Sequence, residues 1–127
     1  MNIQKQDQFN IQRRIKSFYF AISGIKTFLK TQHNAWIHLF ATMLVITCGW
    51  IYQVSITEWC LLIFAIGLVF TAEAINTAIE YLTDMVSPNY HEKAGKVKDL
   101  AAGAVLIAAI TAVIIGLAIF FPKISLN

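Results

Sequence analysis

The chain has 127 residues, a formal net charge of +3, 57% hydrophobic and only 13% charged residues, and a mean hydropathy of +0.63. This length leaves room for one compact unit rather than two domains. Because so few polar side chains cannot cover a surface that faces water, the composition excludes an ordinary soluble globule and indicates a small integral membrane protein.

The first predicted element is an amphipathic helix over about residues 10–32. Its apolar side chains recur at alternating steps of four and three, while Arg, Lys and Ser occupy the other faces. Such a helix suits the cytoplasmic headgroup layer, with its cations near anionic lipid. An ordinary helix packed on its own protein fits the same pattern, so the residues leave both interpretations open. The apolar positions are Ile11, Ile15, Phe18, Ile22, Ile25 and Leu29.

Three long apolar runs follow, and they predict transmembrane helices over about residues 35–54, 59–85 and 98–121. No Asp, Glu, Lys or Arg occurs from Thr31 to Thr57, and this stretch can cross about 30 Å of hydrocarbon. The third run is expected to end at Pro122. Since backbone groups in lipid must be satisfied internally, and three spans are too few for a barrel, the fold class is all-α.

The basic residues predict the orientation of these spans. Of the ten Lys and Arg, six precede the first span, three lie between the second and third, and only Lys123 follows the third. The positive-inside rule therefore places the N-terminus and the 86–98 loop in the cytoplasm, and the 53–58 loop and C-terminus outside. The nine cytoplasmic residues are Lys5, Arg13, Arg14, Lys16, Lys26, Lys30, Lys93, Lys96 and Lys98.

The second span carries an unexpected polar stripe, within the segment EAINTAIEYLTD. Its polar residues fall within an arc of about 100° on a helix, and Glu73 lies about 21 Å from the outer end. A carboxylate at this depth costs about 2.5 kcal/mol or more on insertion, which makes it a functional candidate. A protonated Glu73 in a helix-packing hydrogen bond is the structural alternative. The stripe consists of Glu73, Asn76, Thr77, Glu80 and Asp84.

A second polar group stands at the cytoplasmic start of the third span, where Lys98 and Asp99 precede a run of small residues that lets helices approach closely. Acids, an amide and a lysine at one membrane boundary suit phosphoryl transfer from a nucleotide to a membrane alcohol. The chain has neither a GxxxxGK[ST] loop nor a kinase GxGxxG. From the residues alone, a proton or cation conductor fits almost as well, and a catalytically silent membrane scaffold remains a third possibility.

The two segments together resemble the prokaryotic diacylglycerol kinase family, small three-span lipid kinases that include undecaprenol kinases. The family motif Glu-x-x-Asn-[Ser/Thr]-Ala-Ile-Glu is matched from Glu73 to Glu80, and His-x-x-[Ala/Ser]-[Gly/Lys]-x-x-Lys-Asp from His91 to Asp99. The resemblance extends from about Phe9 to Phe121. It implies a bacterial inner-membrane, ATP- and Mg²⁺-dependent kinase that phosphorylates diacylglycerol or undecaprenol, and a homotrimer with sites shared between neighbouring chains. The TQHN…IH start and the VSPNYH loop lean towards undecaprenol kinases.

The same resemblance implies a role for each matching residue. Glu73 is expected to bind the lipid and act as general base on its hydroxyl, and Glu80 to bind the metal beside ATP. Ala102 matches a position on the lipid path. The remaining residues expected to contact ATP or orient its site are Arg13, Phe20, Gln32, Asn76, Asn89, Tyr90, His91, Lys98 and Asp99.

Two positions depart from the family pattern. Gln32 stands where the family usually has a second metal-binding Glu, so it offers Mg²⁺ a neutral oxygen without charge. Phe20 stands where a Tyr is common, and its ring cannot donate a hydrogen bond to phosphate. The general base, Glu80 and the Lys-Asp pair are retained, so the resemblance still implies an active kinase.

Overall fold

The computed structural model describes residues 10–126, and the regular structure in this range is entirely helical. The helices are α1 (Ile11–Thr31), α2 (His33–Ile51), α3 (Ile56–Val86) and α4 (Glu92–Ser125). Helices α2, α3 and α4 are each long and apolar enough to cross a membrane. The all-helical class and the three candidate spans are therefore confirmed, while Lys5 of the orientation argument lies outside the described residues.

A single residue separates α1 from α2. Asn10 caps the start of α1 by accepting a hydrogen bond on its side chain from the Gln12 amide at 2.9 Å. Gln32 then has extended backbone angles, φ −104° and ψ 113°, and its amide donates to the Phe28 carbonyl at 3.0 Å. The chain thus changes direction at Gln32 alone, which fixes that residue at the junction of the two helices.

A tight turn joins α2 to α3. Gln53 has a positive φ of 49°, the Gln53 amide donates to the Trp50 carbonyl, and the Val54 amide donates to the Gly49 carbonyl at 3.1 Å. This hydrogen-bond pattern is a Schellman motif, which satisfies the carbonyls at the end of α2. Ser55 and Glu58 then form a reciprocal capping box that starts α3.

Helix α4 does not end where the sequence predicts. The proline at 122 lies inside the helix, which continues to Ser125. Because Pro122 falls in the last turn, it removes only one backbone hydrogen bond, and few residues remain beyond it to be displaced. Lys123, in this same turn, forms an ion pair with Glu58 of α3 at 3.1 Å. At its other end α4 begins at Glu92, so the loop between α3 and α4 is shorter than the predicted 86–98.

Helix α3 is the central element of the fold. It packs most extensively against α4 and also contacts α2 and α1. Few side chains are buried within the single chain, and most large apolar ones are exposed, as expected where lipid replaces water as the solvent. Where α2 ends and α3 begins, Gly49 of α2 lets the Trp59 ring pack directly against the α2 backbone. Further along α3 the stripe residue Glu73 is buried rather than facing outwards.

Candidate active site

The most deeply buried acid of the polar stripe is paired with a histidine of the preceding helix. Only 5% of Glu73 is exposed, and its Oε1 lies 2.9 Å from Nε2 of His38 on α2. With a proton on Nε2, the imidazole donates to the carboxylate. This is an interhelical hydrogen bond in the apolar part of the molecule. The helix-packing contact that was the structural alternative for Glu73 is therefore present.

Aromatic rings surround the pair on one side. The Phe70 ring, one turn before Glu73 on α3, lies edge-on to the His38 ring with centroids 6.3 Å apart. Phe28 of α1, which is buried, packs edge-on against Phe70 at 6.5 Å. These aromatic contacts therefore join α1, α2 and α3 beside the His38–Glu73 pair.

One turn further along α3, Asn76 and Glu80 form a second pair. Asn76 Nδ2 donates to Glu80 Oε1 at 3.2 Å. Asn76 Oδ1 and the hydroxyl of Thr77 are buried and have no hydrogen-bond partner within the described chain. Two oxygen atoms are thus available to a bound group or a neighbouring molecule, and buried polar atoms of this kind call for such a partner.

A third pair links the last turns of α3 to the first turns of α4. Lys98 Nζ donates to Asp84 Oδ1, and both side chains are partly exposed. Asp99 points to a different surface, where it lines an open groove of about 550 Å³ with Lys96 and Gly103. The side chains of Lys98 and Asp99, which are adjacent in the predicted motif, therefore lie on two different faces of α4.

The loop residues expected along the nucleotide are solvent-accessible. Tyr90 is 93% exposed, and Asn89 is also exposed. His91 caps α4, where its Nδ1 accepts a hydrogen bond from the Lys93 amide at 3.2 Å. His91 and Lys93 also line a cavity of about 470 Å³ between the ends of α3 and α4.

The remaining predicted site residues lie apart from these pairs. Arg13 and Phe20 are exposed on α1, and the Phe20 ring stands edge-on to Tyr19 at 5.8 Å. Ala102 is exposed on α4, whereas Ala101 beside it is buried. No hydrogen bond among the described residues joins the Gln32 side chain to Glu80.

An apolar groove leads from His38 towards the C-terminal part of α4. It has a volume of about 430 Å³ and lies between α2, α3 and α4. Apart from His38 and Thr42 its wall is formed by apolar side chains and glycine, including Ala65, Val69 and Ala112. A hydrocarbon chain fits this lining, and one end of such a chain would reach the His38–Glu73 pair.

Oxygen donors in the stripe suit a hard cation such as Mg²⁺. Within residues 10–126, no cluster of three or more His, Cys, Asp and Glu side chains is positioned to hold a metal. Mg²⁺ bound with a nucleotide does not need such a cluster, because one or two carboxylates, water and the phosphates complete its coordination. The Glu80 carboxylate beside the unpartnered Asn76 oxygen fits that requirement.

The sequence interpretation missed His38. Its signal was present, since His38 is a titratable residue within a stretch that has no Asp, Glu, Lys or Arg. An ionisable side chain inside a span is costly unless it has a partner. Periodicity within α3 alone could not identify a partner on another helix.

Comparison with known proteins identifies relatives of this chain. A family model described as "Prokaryotic diacylglycerol kinase" matches residues 19–120. An undecaprenol kinase of Bacillus subtilis is 39% identical over 120 residues, which is 94% of this chain and 98% of that protein. A diacylglycerol kinase of Synechocystis is 39% identical over 85% of this chain and 62% of its own length. A diacylglycerol kinase of Escherichia coli is 46% identical over 70 residues, 55% of this chain and 56% of its own.

Proposed function

The chain belongs to the prokaryotic diacylglycerol kinase family, and from this premise we propose that it is a lipid kinase. It transfers the γ-phosphate of ATP to the hydroxyl of a membrane lipid alcohol, with Mg²⁺ as cofactor. The observation that carries the proposal is the Glu73 carboxylate, which is 5% exposed in the apolar part of α3. An acid so placed can meet a hydroxyl that remains inside the membrane, which a soluble kinase cannot reach.

Glu73 acts as the general base. Its carboxylate takes the proton of the lipid hydroxyl while the hydroxyl oxygen bonds to the γ-phosphorus, and the bond from that phosphorus to the bridging oxygen breaks to release ADP. Apolar packing by Phe70 and Phe28 keeps water from competing for the phosphate.

Glu80, Asn76 and Lys98 serve the nucleotide side of the site. Mg²⁺ would supply charge neutralisation on the phosphates, and Glu80 with the Asn76 oxygen would hold it, with Gln32 as a further ligand. Lys98 offsets phosphate charge from the start of α4. The exposed residues Asn89, Tyr90 and His91, with Asp99, Arg13 and Phe20, orient ATP at the cytoplasmic boundary.

Undecaprenol is the lipid that the comparisons support best. The undecaprenol kinase matches over nearly the whole of both chains, whereas the most identical diacylglycerol kinases match over 70 residues. The apolar groove beside His38 accommodates a prenyl chain as well as an acyl chain, and the family resemblance assigns Ala102 to the lipid path. Diacylglycerol is the second candidate, since several relatives carry that name.

The protein lies in the bacterial cytoplasmic membrane with its N-terminus and site on the cytoplasmic side. Lys123, the one basic residue that follows the third span, is paired with Glu58 at 3.1 Å, which offsets its charge at the outer surface. Helix α1 lies on the cytoplasmic surface, because most of its large apolar side chains are exposed and only Phe28 is buried. The exposed ones are Ile11, Ile15, Phe18, Phe20, Ile22 and Ile25.

Three chains assemble into a homotrimer whose sites are shared. The unpartnered oxygens of Asn76 and Thr77 and the exposed Ala102 provide contacts that a neighbouring chain completes. Mixing Glu73→Gln with Lys98→Met at an ATP concentration well below the KM of Lys98→Met tests this, because a shared site in a mixed oligomer gives more activity than either variant alone. Mixtures that are no more active than Lys98→Met alone, while light scattering reports a monomer, would contradict it.

The kinase reaction is tested with the pure protein in detergent. Labelled γ-phosphate of ATP should pass to undecaprenol, more slowly to diacylglycerol, and to neither lipid in Glu73→Gln. Transfer that survives this substitution would refute Glu73 as the base. A conductor instead predicts ion flux in liposomes without ATP, and a scaffold predicts neither flux nor transfer.

A further inference from the structure

We propose that His38 is a positioning residue, which holds the Glu73 carboxylate oriented for the lipid hydroxyl. This inference rests on the proposed function, since it assigns a second residue to the same site. His38 itself touches neither ATP nor the reacting oxygen in this assignment. It acts through Glu73.

The geometry leaves one carboxylate oxygen free for the substrate. His38 Nε2 engages Oε1 of Glu73 at 2.9 Å, and no other residue of the described range 10–126 forms a hydrogen bond to this carboxylate. A glutamate side chain has three rotatable bonds, so an isolated Glu73 would sample several rotamers. The hydrogen bond selects one of them and leaves the second oxygen for the lipid hydroxyl.

His38 is itself held by its surroundings. Its side chain is 24% exposed, the Phe70 ring lies edge-on to it, and its backbone carbonyl accepts a hydrogen bond from the Thr42 hydroxyl at 2.7 Å. Because the Phe70 contact restricts the imidazole ring, the hydrogen bond from that ring can fix the position of the Glu73 carboxylate. His38 also lines the apolar groove, so it stands where a lipid chain would pass the carboxylate.

A hydrogen bond between α2 and α3 can act on the fold or on the reaction. An N–H donor directed at a carboxylate oxygen makes a strong and directional bond, which suits an orienting role. A purely structural hydrogen bond between α2 and α3 would hold the helices together but would leave the rate per folded molecule unchanged, so the two roles are separable.

A pair of polar substitutions that differ by one methylene provides the main test. In His38→Gln the amide nitrogen reaches about as far as Nε2 of the imidazole, whereas in His38→Asn it falls short of Glu73. We expect His38→Asn and the apolar His38→Met to lower kcat by about 100-fold, the size of effect known for small misplacements of reacting groups. The KM for ATP should not change, and His38→Gln should retain most of the activity. Lys123→Met serves as control, since it breaks an ion pair at the opposite end of α3 without touching the site.

Two results would overturn the inference. One is a kcat of His38→Asn close to that of the wild type, and the other is equal loss in His38→Gln and His38→Asn with lowered thermal stability in both. A readout independent of activity is the infrared band of the Glu73 side-chain carboxyl group, assigned by its loss in Glu73→Gln. Its frequency should shift in His38→Met, which removes the hydrogen bond, and stay near the wild-type value in His38→Gln. An unshifted band in His38→Met contradicts the inference even if the wild type transfers no phosphate, a result that would refute only the proposed function.

Discussion

Asn76 donates a hydrogen bond to the Glu80 carboxylate at 3.2 Å, while the Asn76 carbonyl oxygen is buried without a partner. The two residues are one helical turn apart on α3, so the anionic oxygens of Glu80 and the neutral oxygen of Asn76 belong to the same side of this helix. This arrangement suits a hydrated Mg²⁺ that shares the phosphates of ATP. It gives the metal side of the site a direct test.

Glu80→Gln should raise the Mg²⁺ concentration required for half-maximal activity by at least about tenfold, the size seen for groups that merely support a metal ligand. The reason is that the substitution removes the charge but keeps the shape and the hydrogen bond from Asn76. A Mg²⁺ titration at fixed ATP measures the change. Glu92→Gln is a matched control, since Glu92 forms an exposed pair with Lys96 at 2.9 Å. Equal titration curves for both variants would exclude Glu80 as a ligand.

Gln32→Glu should lower the Mg²⁺ requirement. The substitution places a carboxylate at the junction of α1 and α2, where the family usually has an acid, and a charged oxygen binds the cation more strongly than a neutral one. Gln32→Ala should change the requirement in the opposite direction. If both variants require the same Mg²⁺ concentration as the wild type for half-maximal activity, Gln32 is not a metal ligand.

Ala112→Leu should raise the KM for the lipid several-fold and leave the KM for ATP unchanged. Ala112 lines the groove between α2, α3 and α4, so a larger side chain there takes space from the hydrocarbon chain. Ala118→Leu makes the same change at an exposed position of α4 and is the control. Initial rates at varied lipid in mixed micelles provide both constants. A rise in the KM for ATP would show that the effect is not confined to the groove.

Gly49→Ala should destabilise the fold by about 1–3 kcal/mol, the range for overpacking a close contact. A Cβ at this position would lie 2.5 Å from Cη2 of Trp59, so the ring or α2 has to move. Gly67→Ala is the matched control, because a Cβ there meets nothing within 4 Å, and Ala gains up to about 1 kcal/mol over Gly in a helix. Thermal unfolding in detergent should rank Gly67→Ala above Gly49→Ala. The reverse order would contradict the Trp59 contact.

Much of the fold follows from local pattern. The absence of charge from Thr31 to Thr57 indicates α2, and the spacing of the acids indicates one polar side of α3, because both depend only on neighbouring residues in one helix. The end of α4 does not follow, since Pro122 is tolerated in a final turn. A proline marks a break only where enough helix continues beyond it.

The contacts between helices were not predictable in the same way. His38 and Glu73 are 35 residues apart, and the pairing depends on how α2 packs against α3. Likewise, sequence proximity joins Lys98 to Asp99, while the structure directs Lys98 to Asp84 and Asp99 to another surface. One residue along a helix turns a side chain by about 100°, so adjacent motif residues seldom share a face.

The Lys98–Asp84 pair leads to the last prediction. Lys98 is held by Asp84, but the side chains are 38% and 62% exposed, so the pair contributes only about 0–1 kcal/mol to stability. Lys98→Met should therefore leave the unfolding temperature nearly unchanged while it raises the KM for ATP about tenfold, since a charge-assisted contact with phosphate is lost. Asp84→Asn frees Lys98 without removing it and should keep the KM for ATP within about threefold of the wild type. Steady-state kinetics on the two variants decide the matter: if Asp84→Asn loses as much ATP affinity as Lys98→Met, the intact ion pair, rather than the lysine, is what the nucleotide site requires.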